Sequence, residues 1–534
     1  MNKKMKRNLI IAAAALTVVV ALILVIIFVP FGGGNKPADI DRGTEMILSV
    51  NDDGLHTATV KTNAKGEIEN NSYGNLINYA PAQIEKIEMS TGEGNYTFLL
   101  TTPVNADGTT EATIYTLEGF EDYDLATTNP ALLAGVVCNV DFTMVADLTG
   151  ENAAEYGFDK VRAEAKVHYN DGTYSVLRLG DDAPGGESCY IQFGDSQTVY
   201  IADLTEVEPL LLSITDLFST AIGGDAHNAS DDSFDKITLG GSHLPEEVVI
   251  ISNNQGALGC YYLMESHKNA PVNITEGSLI TGSVRSLTAK EVVCVNPDAQ
   301  NLKDYGLSTP FATVKTTYTY TSTEYDDAGN QTLNEVTKVP VSLLASDVDS
   351  EGDVYLMEEG GKLIYKIAAS SVPWATTSME KLASEYVLSP IYDALESVVL
   401  KADGKIYTFR LSTEQVPTTG EDGSNTYTSE YKVTLDAKNI DSDQFYILYQ
   451  DLTLMQYGGA DTTTEAGDKL LTVTYNYLSG RESDTVHFCK TDTQKVIPVV
   501  NGDQFGYVYS ADVSAIISNI AALASGKEIS PVIG

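Results

Sequence analysis

Three short sequence patterns recur in the same order three times, and this repetition constrains the fold more than any other feature of the chain. The first pattern alternates apolar and polar residues and begins at Ile84, Phe234 and Leu395. Successive side chains of a strand point to opposite faces, so the alternation predicts strands with one buried face. In the first and third copies a turn and a second alternating stretch follow, which predicts β-hairpins.

The second pattern is a Tyr-Gly pair that follows a mixed, helix-like segment, such as residues 129–138 in the first copy. The pair begins at Tyr156, Tyr305 and Tyr457, which lie 72, 71 and 62 residues after the first strand of their copies. The shorter spacing indicates that the third copy is degenerate. The third pattern is a short apolar strand ending in Tyr, at residues 199–200, 364–365 and 508–509. Each such strand precedes a stretch predicted to be helical, at residues 206–218, 378–386 and 511–523.

These patterns predict an α+β fold rich in antiparallel strands. The architecture expected is an N-terminal transmembrane helix followed by three tandem strand-rich repeats of hairpins plus helices. The boundaries expected are 1–30 for a cytoplasmic tip and transmembrane anchor, 31–83 for a linker and leading strands, and 84–230, 234–394 and 395–534 for the repeats.

The N-terminal region contains an apolar run from Leu9 to Val29, in which Thr17 is the only polar side chain. A helix of 21 residues spans about 30 Å, the thickness of one hydrocarbon core. Four basic residues precede the run, so the positive-inside rule places the N-terminus in the cytoplasm. The alternative is a cleaved signal peptide, but the run is long and residues 28–31 suit a signal peptidase poorly. We therefore expect a single-pass protein of the cell membrane with an extracytoplasmic body.

The chain carries 33 basic and 74 acidic residues, a net charge of −41. A surface this negative repels nucleic acid, so we expect no nucleic-acid partner. The chain contains 30 Tyr but a single Trp. Tyrosines in such numbers suit either glycan binding or strand packing, and strand packing is favoured because Tyr is a preferred strand residue.

Several of these segments resemble a known bacterial family, the domain of unknown function 4340. The resemblance is carried by residues 156–163, 174–183, 189–191 and 199–200, and by Tyr-Gly-Leu-Ser-Thr-Pro at residues 305–310. Val161 stands in the first copy where the family pattern has this proline. The resemblance implies an anchored extracytoplasmic protein, often encoded beside subunits of ABC-type export or gliding systems. It supplies no catalytic residues.

No phosphate-binding loop, zinc-protease motif, Cys-x-x-Cys pair or nucleophile elbow occurs in the sequence, so we predict that the protein is not an enzyme and has no cofactor. One candidate metal site remains. Asp347, Asp349 and Glu351 are followed by Gly352 and then Glu358, a spacing that fits a Ca²⁺ loop. Residue five of the loop is a long Glu, and a strand is expected where the exiting helix would lie. A solvated acidic turn is therefore the favoured interpretation.

Two functional hypotheses follow. The first is a membrane-anchored extracytoplasmic interaction or scaffold protein, accessory to an ABC-type export system. Duplicated domains support it, because repetition extends a surface or adds valency. The second is a cell-envelope polymer or cation-binding module, which the acidic composition favours.

Overall fold

The computed structural model describes residues 43–533 except 106–107, 232, 255, 326–330 and 420–424. The predicted membrane span, Leu9–Val29, lies outside the described residues. Within the described ranges, no helix is both long enough and apolar enough to cross a bilayer.

The described part of the chain is strand-rich and contains eight α-helices. They are α1 Asn129–Cys138, α2 Leu204–Val207, α3 Ile274–Val284, α4 Ala299–Asp304, α5 Pro373–Thr376, α6 Met379–Leu382, α7 Ser442–Thr453 and α8 Ser510–Ala524. Short 3-10 helices occupy Pro81–Gln83, Ala153–Tyr156, Glu208–Leu211, Ile214–Leu217, Gly224–Asn228, Glu265–His267, Ala369–Ser371 and Tyr392–Ala394.

The strands up to the end of the first copy are β1 Met46–Val50, β2 His56–Val60, β3 Gly74–Asn78, β4 Ile84–Thr91, β5 Gly94–Thr101, β6 Ile114–Leu117, β7 Asn139–Phe142, β8 Met144–Asp147, β9 Ala163–Tyr169, β10 Tyr174–Asp182, β11 Ser188–Phe193, β12 Val199–Asp203 and β13 Ala221–Ile222. Those of the second copy are β14 Ile237–Gly240, β15 Val248–Ser252, β16 Tyr262–Met264, β17 Ala270–Pro271, β18 Leu287–Thr288, β19 Glu291–Val295, β20 Ala312–Tyr325, β21 Gln331–Ala345, β22 Asp353–Glu358 and β23 Leu363–Ala368. Those of the third copy are β24 Leu395–Ala402, β25 Lys405–Thr419, β26 Asn425–Leu435, β27 Lys438–Ile440, β28 Gly459–Ala460, β29 Lys469–Tyr477, β30 Asp484–Lys490, β31 Lys495–Val500, β32 Asp503–Gln504 and β33 Gly506–Tyr509.

The chain forms two compact units. The first comprises the described residues as far as Tyr79, together with Asn139–Val161 and Gly172–Glu206. The second comprises Ala80–Cys138, Arg162–Asp171 and the chain from Val207 onwards. The boundaries predicted for the three repeats stay a prediction.

Two large sheets in the second unit share one strand order. One runs β17-β16-β15-β14-β20-β21-β22-β23-β19, and the other runs β27-β26-β25-β24-β29-β30-β31-β33-β28 with β32 paired to β31. Strands β6-β5-β4-β9 of the same unit follow the order of the first half of these sheets. In the first unit, β10-β11-β12-β8 follow the order of the second half. One connection pattern therefore recurs along the chain.

The sheet that contains β24 to β33 has an extensive hydrophobic core. Its strands alternate buried and exposed residues, as predicted for one buried face, and α7 and α8 cover that face. Phe409 of β25 and Phe445 of α7 are fully buried, with ring centroids 4.9 Å apart. Ile516 and Ile520 of α8 join the same cluster one turn apart. Such burial contributes about 25 cal/mol per Å² of apolar surface removed from water.

Of the three helices predicted to follow the third pattern, two are wrong. Residues 206–218 form the end of α2 and two 3-10 helices, because Pro209 lacks the N–H needed to continue an α-helix. Residues 378–386 contain only α6, which ends at Leu382 because Ala383 turns into an extended conformation and pairs with Val272. The third prediction, residues 511–523, is confirmed as α8, and the helix at residues 129–138 is confirmed as α1.

Candidate functional site

The acidic turn between β21 and β22 gathers three carboxylates. Oxygen atoms of Asp349, Glu351 and Asp353 lie within 4.8 Å of one another. One carboxylate oxygen of Asp349 accepts hydrogen bonds from the backbone N–H groups of Glu351 and Asp353, at 2.8 and 2.9 Å. These bonds, chiefly the one from Asp353, hold the pKa of Asp349 below its usual value.

The ammonium groups of two lysines, Lys366 and Lys290, neutralise the carboxylates of this turn. The ammonium of Lys366, on β23, forms an ion pair with Glu351 and lies 3.7 Å from Asp353 and 4.0 Å from Asp349. The ammonium of Lys290 lies 2.5 and 2.7 Å from the two carboxylate oxygens of Asp353. The hydrogen bond to Glu351 raises the pKa of Lys366. The turn is therefore an ion-pair network held by its own lysines.

The structure brings together only part of the Ca²⁺ loop considered from sequence. Asp349 and Glu351 meet, but Asp347 is not a member of the cluster and accepts a hydrogen bond from the N–H of Val348. Glu358 ends β22, five residues beyond Asp353, which places it about 16 Å along the strand. As expected, no helix follows the loop. The sequence analysis did not include Asp353, although it directly follows Gly352 of the loop, and it missed both lysines, of which Lys290 is distant in sequence.

A second candidate site is a cleft of about 830 Å³ lined by residues of the second and third copies, which we call the tyrosine cleft. It is lined by the 3-10 helix Tyr392–Ala394 with the residues before it, by Tyr431 of β26, by α7 and by Gly259. Asp441 caps α7 by accepting hydrogen bonds from the N–H groups at positions 443 and 444. The buried face of α7 packs into the core, which directs Tyr446 and Tyr449 into the cleft.

The tyrosine rings form one cluster around Tyr392. Its ring centroid lies 5.0 Å from that of Tyr431, 5.3 Å from Tyr446 and 4.8 Å from Tyr449, all in edge-to-face geometry. Tyr446 and Tyr449 stack at 5.6 Å with an interplanar angle of 26°. The hydroxyl of Tyr449 donates a hydrogen bond of 2.6 Å to the carbonyl of Pro390. Aromatic pairs of this geometry stabilise beyond their buried area, so the cluster holds its rings in place.

The cleft is acidic. The hydroxyl of Tyr431 donates a hydrogen bond to the carboxylate of Asp393, which raises the pKa of that tyrosine. Asp443 lies in the first turn of α7 and is exposed at the edge of the cleft. No lysine or arginine is among the described residues that line it. The arrangement offers aromatic faces and carboxylates to a ligand and no positive charge.

The tyrosines on α7 have no counterpart on the equivalent helices of the other copies. The helices at the corresponding place in the strand order, α1 and α3, contain no aromatic residue. The fold therefore does not require tyrosines on this helix. Sequence reasoning attributed the tyrosines to strands; the spacing of Tyr446 and Tyr449, three apart on a helix, was the available signal.

A family model described as Domain of unknown function (DUF4340) matches residues 131–247 and 263–467. The chain belongs to the DUF4340 family. The two matches are tandem copies, so they confirm the resemblance to this family and the presence of tandem copies; the expectation of three copies stays a prediction. A search of curated proteins finds no match to the chain.

The Tyr-Gly pairs of the DUF4340 matches have a structural role. The ring of Tyr156 packs edge-on against Tyr190 of β11, with centroids 4.7 Å apart. The ring of Tyr305 packs in the same way against Tyr355 of β22, at 4.8 Å. Each pair joins the turn to the equivalent strand of its sheet. In these two copies the tyrosine of the Tyr-Gly pair thus fixes a turn on a sheet.

The glycines of these pairs adopt the left-handed conformation that favours glycine. Gly157 has φ +84° and Gly306 has φ +71°. In the third copy Gly458 does not have a positive φ, and the next residue, Gly459, has φ +156°. The turn that defines the first two copies is therefore changed in the third, which agrees with its shorter spacing in the sequence.

Proposed function

We propose that this DUF4340 protein is a membrane-anchored extracytoplasmic scaffold without enzymatic activity, accessory to an ABC-type export system. The recurrence of one strand order along the chain is the observation that carries the proposal. Repeated domains present several related surfaces from a single anchor, which suits assembly with a membrane complex. The apolar run Leu9–Val29 supports the anchor, with the N-terminus in the cytoplasm.

The mass of the intact protein tests the anchor. We expect the protein extracted from membranes to retain residues 1–30, because the apolar run lacks a signal-peptidase site. A mature species that begins near residue 31 would contradict the anchor. The same preparation then serves for the partner experiment.

Crosslinking in intact cells, followed by mass spectrometry, tests the partner. We expect crosslinks between the body of the protein and subunits of an ATP-binding cassette transporter. The matched control is residues 1–42 fused to an unrelated domain, which reports crosslinks caused by membrane proximity alone. Transporter crosslinks that are equally frequent with the control, or absent with the full chain, would contradict the proposal.

A cell-envelope polymer or cation-binding module is the second candidate, and the tyrosine cleft favours it. Tyr431 and Tyr446 line the cleft and are 37% and 44% exposed. Retention of the protein on isolated cell-wall polysaccharide tests this function. Loss of retention in Tyr446→Ala would support it, and unchanged retention would contradict it.

A further inference from the structure

The tyrosine cleft combines aromatic rings, carboxylates and an adjoining apolar groove. We propose that it binds a segment of a partner protein that carries lysine or arginine next to apolar residues. The inference depends on neither the membrane anchor nor the export system. The volume of the tyrosine cleft, about 830 Å³, lies within the range of ligand-binding sites in proteins.

The exposed rings favour a cation. Tyr446 and Tyr431 line the cleft and are partly exposed to solvent. The face of an aromatic ring attracts an ammonium or guanidinium group, and the interaction strengthens when the cation is partly desolvated. The packing around Tyr392 holds these rings in place before a ligand arrives, which lowers the entropic cost of binding.

The carboxylates of the cleft favour a ligand with positive charge. Asp393 is oriented by the hydroxyl of Tyr431, and Asp443 stands at the exposed first turn of α7. Because the described lining contains no lysine or arginine, a ligand supplies the positive charge. The net charge of −41 adds long-range attraction for a basic partner.

The neighbouring groove favours a peptide over a polysaccharide. A second cleft of about 530 Å³ shares Gly259, Ser389 and Leu454 with the first. It continues along Val272 and Ile274, and the residues Ile274 and Leu454 are 46% and 44% exposed. An apolar side chain beside the cationic residue would cover these exposed groups. A polypeptide provides both kinds of side chain on one backbone.

Fluorescence anisotropy with the detergent-solubilised full chain tests the proposal. The probe is a fluorescein-labelled peptide, Leu-Arg-Leu-Lys-Leu-Gly, and its twin carries Glu in place of Arg and Lys. We expect saturable binding of the basic peptide, weakened by added salt, and no binding of the acidic twin. Tyr446→Ala and Asp443→Asn should each raise Kd about threefold to tenfold.

Matched controls exist in the same copy. Tyr509 is exposed and pairs with another tyrosine at 5.8 Å, and Asp512 lies in the first turn of α8. Neither lines the cleft, so Tyr509→Ala and Asp512→Asn should leave Kd unchanged. Equal weakening by the control variants, or an unchanged Kd in both cleft variants, would overturn the proposal. Failure of the basic peptide alongside Tyr446-dependent binding of a chito-oligosaccharide would overturn it in favour of a glycan.

Discussion

Lys290 and Asp353 form a two-point ion pair in which the carboxylate is buried and the ammonium reaches it from the surface. The side chain of Asp353 is 3% exposed and that of Lys290 is 53% exposed. The backbone N–H of Lys290 donates to the carbonyl of Lys366, which places the two lysines beside the same carboxylate. A buried charge is tolerated only when it is paired, so the pair ties the segment before β19 to the start of β22.

Lys290→Ala should destabilise the protein by about 1–3 kcal/mol, because it leaves the buried carboxylate of Asp353 with the more distant ammonium of Lys366. Urea denaturation followed by Trp374 fluorescence measures the effect. Trp374 is the only tryptophan, and it is buried in the same copy. The control is Lys315→Ala, whose pair with Glu359 is half exposed on both sides and should matter by less than about 1 kcal/mol. Equal shifts in the two variants would contradict the argument.

Millimolar Ca²⁺ should leave the thermal melting temperature of the wild-type chain unchanged. The three carboxylates of the turn already hold Lys366 and Lys290, so a divalent ion would have to displace an ammonium. Saturation at 100 times Kd would add about 2.7 kcal/mol of stability, which a melting experiment detects readily. A Ca²⁺-dependent rise that disappears in Asp349→Ala would contradict this expectation.

The same Ca²⁺ melting experiment on the variant Lys366→Ala tests the role of this lysine. Removing this ammonium leaves Asp349 and Glu351 without their lysine, and we expect this variant to gain stability from Ca²⁺ where the wild-type chain does not. Lys315→Ala again serves as control. A variant that stays insensitive to Ca²⁺ would show that the geometry of the turn, and not the lysine, prevents binding.

Local patterns predicted the hairpins and two helices because the type of each element is determined by the spacing of apolar residues within it. The alternation at β4 and β24, and the helical spacing of α8, are set by one buried face each. The structure of residues 206–218 and 378–386, at the ends of the first two copies, could not be predicted in the same way. Leu210 and Leu217 are buried, but in 3-10 helices, so apolar content alone indicated burial without the type of helix.

The sites depended on residues that are distant in sequence. The acidic spacing located Asp349 and Glu351, but the lysines that neutralise them come from β23 and from the segment before β19. In the tyrosine cleft, Tyr392, Tyr431 and Tyr446 lie on a 3-10 helix, a strand and a helix. Their meeting depends on the strand order of the sheet that contains β24 to β33, which no local pattern encodes.

Stability should fall as pH decreases from about 7 to about 5, in part through His243. Burial is the main cause that lowers the pKa of this imidazole, whose Nδ1 lies 3.1 Å from the carbonyl of Phe311. A histidine whose folded pKa lies below the unfolded value of about 6.5 stabilises the fold above that value. This contribution is lost as pH falls through the folded pKa.

Trp374-monitored urea denaturation between pH 5 and pH 7.5 measures this dependence, in a range where few carboxylates titrate (about pH 4). His243→Gln should flatten the pH dependence of the unfolding midpoint. His227→Gln, at an exposed histidine of a 3-10 helix, should retain it. If both variants retain the full dependence, another group causes it.

Two glycine substitutions in the second copy should change stability in opposite directions. Gly306 lies in the turn that follows α4 and has φ +71°. A Cβ added at this position would lie 3.3 Å from the Cβ of Ser346. Gly306→Ala should therefore destabilise the protein by about 1–2 kcal/mol. Gly282 lies inside α3, where an added Cβ meets ordinary contacts at 3.7 Å or more. Gly282→Ala should stabilise by about 0.5–1 kcal/mol, because glycine loses more conformational entropy on forming a helix. Trp374 fluorescence reports both midpoints in urea. Shifts of the same sign would show that the left-handed turn after Tyr305 does not constrain the sequence as argued.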